Sequence, residues 1–219
     1  MYPVFDVKCR YENPNNFKSV HPPAIIKFPE EISWTFDSKK YSIHSHIEYK
    51  TERVGFNKWI RKSINNYHDL IRYAYLLHEN ILVLYSAINE LNRLYPPPNN
   101  LILYNLKKEV VKVIENPTIK KVEEQRAKDI ASAKPLTFWD KLFGNKPIEK
   151  EYYVSPFLSI WGIKEIEGRK YIQVNLEEIP SYTWYTYYLD AETFEFHPKY
   201  YDYNEDDGRY SKCIEYGRE

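Results

Sequence analysis

The sequence predicts an α+β protein: a long central helix with a helical hairpin, packed against an antiparallel C-terminal meander and a small N-terminal sheet. Three observations lead there. Apolar residues recur at alternating steps of four and three from Leu70 to Leu91, as on one helix face. Beyond Glu149, β-branched and aromatic residues alternate with polar ones between turn signals. Pro3, Pro14, Pro22, Pro23 and Pro29 break any helix near the start. At 219 residues the chain can bury a self-sufficient core. It reads as one domain over 1–219 in four segments: strands and loops (1–55), a helical core (56–116), a polar helix or linker with a short amphipathic helix (117–148), and the meander with its acidic tail (149–219).

In the first segment, ISWTF (32–36) and YSIHSHIEY (41–49) have the alternation of paired strands. From Phe56 the pattern turns helical through NKWIRKSINN, and Leu70, Ala74, Leu77, Ile81, Leu84, Ile88 and Leu91 then form one stripe. A helix over 67–94 has a length of about 42 Å at 1.5 Å per residue, enough to run the width of the molecule as the spine of its core. The flanking positions Tyr75, Leu82 and Tyr85 are apolar rather than charged, which favours intramolecular packing over a coiled-coil dimer. Pro96, Pro97 and Pro98 end the spine, and Asn99 or Asn100 caps a second helix with Leu103, Leu106, Val110, Val113 and Ile114 on one face.

After Pro117, TIKKVEEQRAKDIASAK has few apolar residues and reads as a solvated helix or a linker. PLTFWDKLFGNKP carries a capping-box-like Thr137 and Asp140 and a stop at Gly144 and Pro147, a short helix that plugs a sheet. The meander follows: FLSIWGIKEI, a turn at Glu167-Gly168, KYIQVNL, a break at Pro180, SYTWYTYYLD, a turn through Ala191-Glu192-Thr193, and FEFHP.

Composition excludes several functions. Six glycines and neither G-x-G-x-x-G nor G-x-x-x-x-G-K-[ST] argue against a nucleotide-binding fold. G-x-S-x-G and RNA-recognition motifs are missing as well. The start lacks a basic region followed by an apolar run, so no secretory signal is read, and Arg72, His78, Glu79 and Asn80 rule out a membrane span over 70–88. Cys9 and Cys213 lie near opposite ends without C-x-x-C spacing, which suits a reducing compartment, although a bridge between the termini stays open. A cytoplasmic protein without cofactor is expected.

Zero net charge hides a division: residues 1–150 hold 24 Lys and Arg against 17 Asp and Glu, residues 151–219 hold 7 against 14. The acidic segment also carries 12 Tyr, 2 Trp and 3 Phe. Within SYTWYTYYLD, Tyr182, Trp184 and Tyr188 share one strand face and Tyr185 and Tyr187 the other, so one face can pack on the core and leave the other for a partner. Tyrosine supplies contact area at small entropy cost, as protein interfaces require; the alternative is that Tyr merely replaces Phe in a wide core. The leading expectation is a non-catalytic binder of a basic protein, of the inhibitor or immunity type that neutralises a toxin. Asp202, Glu205, Asp206 and Asp207 supply electrostatic capture, and Tyr182, Trp184, Tyr200, Tyr201 and Tyr203 the anchors. Neither nucleic acid nor membrane is expected as a partner.

Two other readings compete. His44, His46 and Glu48 share one face of a predicted strand and, with Glu79, offer a composite metal site for a hydrolase, though three residues along one strand span too far for tetrahedral ligation. His78-Glu79-Asn80 interrupts the spine without making H-E-x-x-H, since position 82 is Leu, and a buried Glu79 there needs a partner. The tail residues Asp202, Asn204, Asp206 and Gly208 resemble a calcium loop, but Asp207 stands where the turn glycine belongs and Cys213 where a bidentate Glu belongs. A self-associating scaffold or virion component is the third reading.

Overall fold

The computed structural model describes residues 3–11, 17–55, 58–88, 94–133, 154–178, 183–204 and 211–215. Among them are sixteen strands and one helix, so the chain is almost all β. The expected long central helix and helical hairpin are not formed; the short helix expected at 135–147 lies outside the described residues.

The first sheet has the order β2 (Lys18–Val20), β1 (Phe5–Cys9), β4 (Pro29–Phe36), β5 (Lys39–His44). The second runs β11 (Val110–Val113), β10 (Leu101–Asn105), β9 (Asn80–Tyr85), β8 (Ile71–Leu76), β3 (Ala24–Lys27). The third is the meander β12 (Phe157–Ile166), β13 (Arg169–Glu178), β14 (Thr183–Asp190), β15 (Phe196–Asn204), β16 (Ser211–Glu215). A two-stranded ribbon, β6 (His46–Gly55) with β7 (Lys58–His68), completes the set, and every described pairing is antiparallel.

The second sheet is the middle layer of a three-layer stack. On one side Ala74, Leu76, Ile81, Val83, Ile102 and Tyr104 pack with Phe5, Val7, Ile32, Trp34 and Ile43 of the first sheet. On the other, Tyr75, Leu82, Leu84, Leu101 and Leu103 pack with Phe157, Ile160, Ile172, Val174 and Leu176 of the third. Strands buried on both faces read as continuous apolar runs instead of alternating, and that is why Ile81–Tyr85 and Leu101–Tyr104 were open to a helical reading.

The predicted helical stripe crosses a hairpin. Ala74 belongs to β8, Ile81 and Leu84 to β9, and Leu77 to the turn between them, where the Leu77 N–H donates to Asn80 O at 2.9 Å. His78 and Glu79 make the turn and Asn80 opens β9; His78 and Glu79 are exposed, so Glu79 is not the buried spine carboxylate the sequence implied. The second predicted helix is likewise the hairpin β10–β11, closed by Asn105, whose Oδ1 accepts from the N–H groups of Lys107 and Glu109, each at 2.9 Å.

Buried polar side chains join the layers. Asn100 Nδ2 donates to Tyr85 O at 3.0 Å and to Phe157 O at 2.9 Å, while its Oδ1 accepts from Phe157 N at 3.2 Å, tying the second sheet to the third. Asn116 Nδ2 donates to Ser155 O at 2.6 Å and its Oδ1 accepts from Thr118 N at 3.0 Å, placing the start of α1 (Thr118–Ser132) against the entry to β12. Only Thr118 of this helix is buried, in keeping with the solvated helix expected after Pro117. No helix among the described residues is long and apolar enough to cross a membrane.

The expected strands ISWTF and FLSIWGIKEI fall in β4 and β12, and the turns at Glu167-Gly168 and Ala191–Thr193 are where the alternation put them. The two-residue turn from β4 to β5 has positive φ at both Asp37 (49°) and Ser38 (61°), the geometry that matches hairpin twist and that glycine adopts without strain. Ser38→Gly is expected to raise the unfolding free energy by about 0.5–1 kcal/mol, as relief of left-handed strain exceeds the added chain entropy. Urea unfolding of the two proteins checks this; a fall in the midpoint would show that the Ser38 side chain outweighs its backbone.

Candidate functional site

The residues expected to bind a partner divide between the meander and segments outside the described residues. Trp184 lies in β14 and Tyr200, Tyr201, Asp202 and Tyr203 in β15; Tyr182, Glu205, Asp206 and Asp207 are outside the described residues. In the ladder, Tyr201 stands opposite Tyr187, Asp202 opposite Thr186 and Tyr203 opposite Tyr185. Tyr185 and Tyr187 face the middle sheet, as the alternation implied, and Tyr187 is buried there. Tyr188, on the opposite face, is buried too, at 0% exposure; Lys164 Nζ donates to its hydroxyl at 3.0 Å and lies 5.0 Å from its ring centre. The two central rings of SYTWYTYYLD are therefore enclosed.

Asp190 closes the β14–β15 turn: its Oδ1 accepts from Glu192 N at 2.8 Å and Thr193 N at 2.9 Å, and its Oδ2 lies 3.8 Å from Arg169 Nη1. Burial alone raises its pKa, but the backbone donors Thr193 and Glu192 together with Arg169 outweigh that and hold the carboxyl below its ordinary value. This acidic group is committed to the fold rather than offered to a partner.

The expected strand over 41–49 divides at Ser45. Its Oγ donates to Pro29 O at 3.1 Å and accepts from Ile71 N at 3.0 Å, so the chain leaves the first sheet there. His44 consequently pairs with Glu31 in β5, while His46 pairs with His68 in the ribbon. The single strand expected to carry His44, His46 and Glu48 is divided between β5 and β6, and among the described residues no three His, Cys, Asp or Glu are gathered as metal ligands.

What the fold does assemble is a cleft of about 710 Å³ at one end of the first and second sheets. Asp6 comes from β1, Asp37 from the β4–β5 turn, and Glu79, beside His78, from the β8–β9 turn; Trp34, Phe36 and Leu106 contribute the apolar lining. The geometry is held from below. Trp34, 2% exposed, donates from Nε1 to Leu106 O at 2.7 Å, stacks on Tyr41 at 5.9 Å and meets Phe5 at 5.6 Å. Asp6 accepts a hydrogen bond from Ser19 Oγ at 3.3 Å and so keeps acceptor capacity.

Anionic groups on three separate segments beside the partly exposed Phe36 ring, with Trp34 buried beneath, suit a cationic group. Of these residues the sequence singled out His78 and Glu79, though as spine residues. Trp34 and Phe36 were readable as same-face residues of ISWTF. Asp6 and Asp37 carried no local signal. No protein-family model matches this chain, and no curated protein and no solved structure matches it.

Proposed function

We propose that the chain is a non-catalytic binding module for a basic protein, acting as an inhibitor or immunity-type protein does against a toxin. The observation that carries this reading is the cleft lined by Asp6, Asp37 and Glu79 together with the partly exposed Phe36. Opposed potentials speed encounter, and a desolvated aromatic contact then holds the partner. The acidic excess of residues 151–219, with Asp202, Glu205, Asp206 and Asp207 at its end, supports the same choice of partner. Tyr182, Trp184, Tyr200, Tyr201 and Tyr203 are the anchors proposed on that side.

The test begins with affinity capture from cells that express the chain, using wild type and a variant with Asp6, Asp37 and Glu79 all changed to Lys. Wild type is expected to retain a basic protein that the variant loses. The association rate of that protein is expected to fall by about tenfold or more on reversal and to fall with added salt. Reversal of Asp206 and Asp207 in parallel measures the share of the tail. An unchanged rate at low salt in both variants would remove the electrostatic basis of the proposal.

A further inference from the structure

The ribbon of β6 and β7 takes no part in the acidic cleft or the meander, and neither of its strands pairs with any of the three sheets. Between its two register shifts the pairing is regular. Tyr49 stands opposite Ser63, Lys50 opposite Lys62, Thr51 opposite Arg61, Glu52 opposite Ile60 and Arg53 opposite Trp59. Residues directly opposite in an antiparallel pair share a face, and successive residues alternate between faces. One face is therefore assigned Tyr49, Thr51, Arg53, Trp59, Arg61 and Ser63, and the other Lys50, Glu52, Ile60 and Lys62.

The two faces differ in kind. The first has two arginines, a tyrosine, a tryptophan and two hydroxyl residues, with no acidic residue; the second has the Glu and the Ile. Residues 49–63 hold five Lys and Arg against one Glu, in a chain whose net charge is zero. No local spacing shows this face. The helical pattern expected from Phe56 through NKWIRKSINN turns by about 100° per residue and distributes Trp59, Arg61 and Ser63 around a cylinder. Lys58–His68 is instead a strand, which aligns those three, and pairing with β6 sets them opposite Arg53, Thr51 and Tyr49.

Arginine forks match phosphate oxygens, and aromatic residues give bases a surface to stack on. Bases in a duplex are already stacked on one another, so aromatic residues among arginines favour a single strand. An acidic protein segment would use the arginines and leave the aromatic residues without a matching group. A lipid surface calls for aliphatic residues beside the aromatic ones, and Ile60 belongs to the other face. We propose that the ribbon binds single-stranded nucleic acid on the face of Tyr49, Arg53, Trp59 and Arg61, with phosphates paired by the arginines and bases stacked on the aromatic residues. The RNA-recognition motifs missing from the sequence belong to other modules, whereas strand pairing assembles this face. It shares no residue with the acidic cleft.

The experiment follows fluorescence anisotropy of labelled dodecamers of U and of dT with the full chain, in separate arms. A duplex dodecamer is the third arm, and polyglutamate and phosphatidylserine vesicles are the competitors. At least one single strand is expected to bind about tenfold more tightly than the duplex, and the tighter of the two identifies RNA or DNA as the ligand. Arg53→Ala with Arg61→Ala is expected to weaken binding by about tenfold or more and to flatten its salt dependence. Trp59→Ala is expected to weaken it by about fivefold or more, and Trp59→Phe by about twofold at most. Lys50→Gln with Lys62→Gln, on the other face, is expected to cost less than the arginine pair.

Because neither strand joins the three sheets, these variants are expected to keep the wild-type thermal unfolding profile. Arg53→Gln with Arg61→Gln, a milder change, serves if the alanine pair unfolds. No binding of either single strand at low salt, equal binding of the duplex, or an affinity unchanged by Trp59→Ala would each overturn the proposal. So would displacement by polyglutamate or by the vesicles as effective as by unlabelled oligomer at the same concentration of charge; the first would assign the ribbon to an acidic protein and the second to a membrane surface.

Discussion

Ile81→Ala and Leu82→Ala are each expected to lower the unfolding free energy by about 2–5 kcal/mol, although the two residues are neighbours pointing in opposite directions. Both are at 0% exposure. Ile81 packs against the first sheet and Leu82 against the third, so neither change is relieved by the other's surroundings. The double variant is therefore expected to lose more than either single variant, a large part of the 5–15 kcal/mol available to a typical domain, with the shared β9 backbone as the source of any departure from the sum. Denaturant titration of the three variants against wild type measures this. A sheet with one wet face would tolerate one of the substitutions within about 0.5 kcal/mol, and such a result for Leu82 would contradict the three-layer stack.

The same two residues show which parts of the fold were legible. The meander was readable because much of its alternation survives: in β13, every second residue, Ile172, Val174 and Leu176, packs into the core beneath the middle sheet. Among the described residues, the breaks at Glu167-Gly168 and at Ala191–Thr193 fall on turns, the first with positive φ at both residues, while the break at Pro180 lies outside the described residues. In the middle sheet alternation vanishes, since both directions lead into a core, and period no longer separates strand from helix. The four-and-three spacing from Leu70 to Leu84 then came from joining two strands through a turn. Two signals favoured the hairpin: three consecutive polar residues, His78-Glu79-Asn80, in the middle of an apolar run, and apolar stretches only five residues long on either side.

The acidic cleft was less readable for a different reason. Its charged groups lie at positions 6, 37 and 79, brought together by pairing between β1 and β4 and by stacking of the first sheet on the second. No local spacing encodes such a meeting. The strand read over 41–49 was misread in the converse way: a regular local spacing was interrupted by one serine whose hydroxyl bonds Pro29 and Ile71, contacts set by the packing of distant segments.

At alkaline pH the protein is expected to lose stability through a pair of buried phenols. Tyr85 and Tyr104 share a hydrogen bond of 2.9 Å between their hydroxyls, with the Tyr95 ring 5.3 Å from Tyr85 and 6.4 Å from Tyr104. Burial, first of all, raises the pKa of both above the ordinary value of 10; for Tyr104 the neighbouring Tyr85 adds to the rise, whereas for Tyr85 the Tyr104 hydrogen bond partly offsets it. In the unfolded chain these phenols ionise near pH 10, while in the folded protein they keep their protons. The folded state thus binds more protons above that pH, and stability falls as pH rises. The contribution is complete below about pH 10 and declines by about 1.4 kcal/mol per pH unit for each phenol until the raised folded pKa is reached. Replacing both by Phe removes the donor and acceptor of their shared bond together and leaves only the partly buried Tyr95 hydroxyl, which also bonds Tyr104, to turn to water, so the double variant is expected to stay near wild-type stability at pH 7. Urea unfolding at pH 8, 10 and 11 should show wild type falling more steeply than Tyr85→Phe/Tyr104→Phe, by up to about 2 kcal/mol between pH 10 and 11. Parallel pH profiles for the two proteins would show that these hydroxyls ionise equally well folded and unfolded, and that the interface between the first and second sheets admits water at its tyrosine cluster.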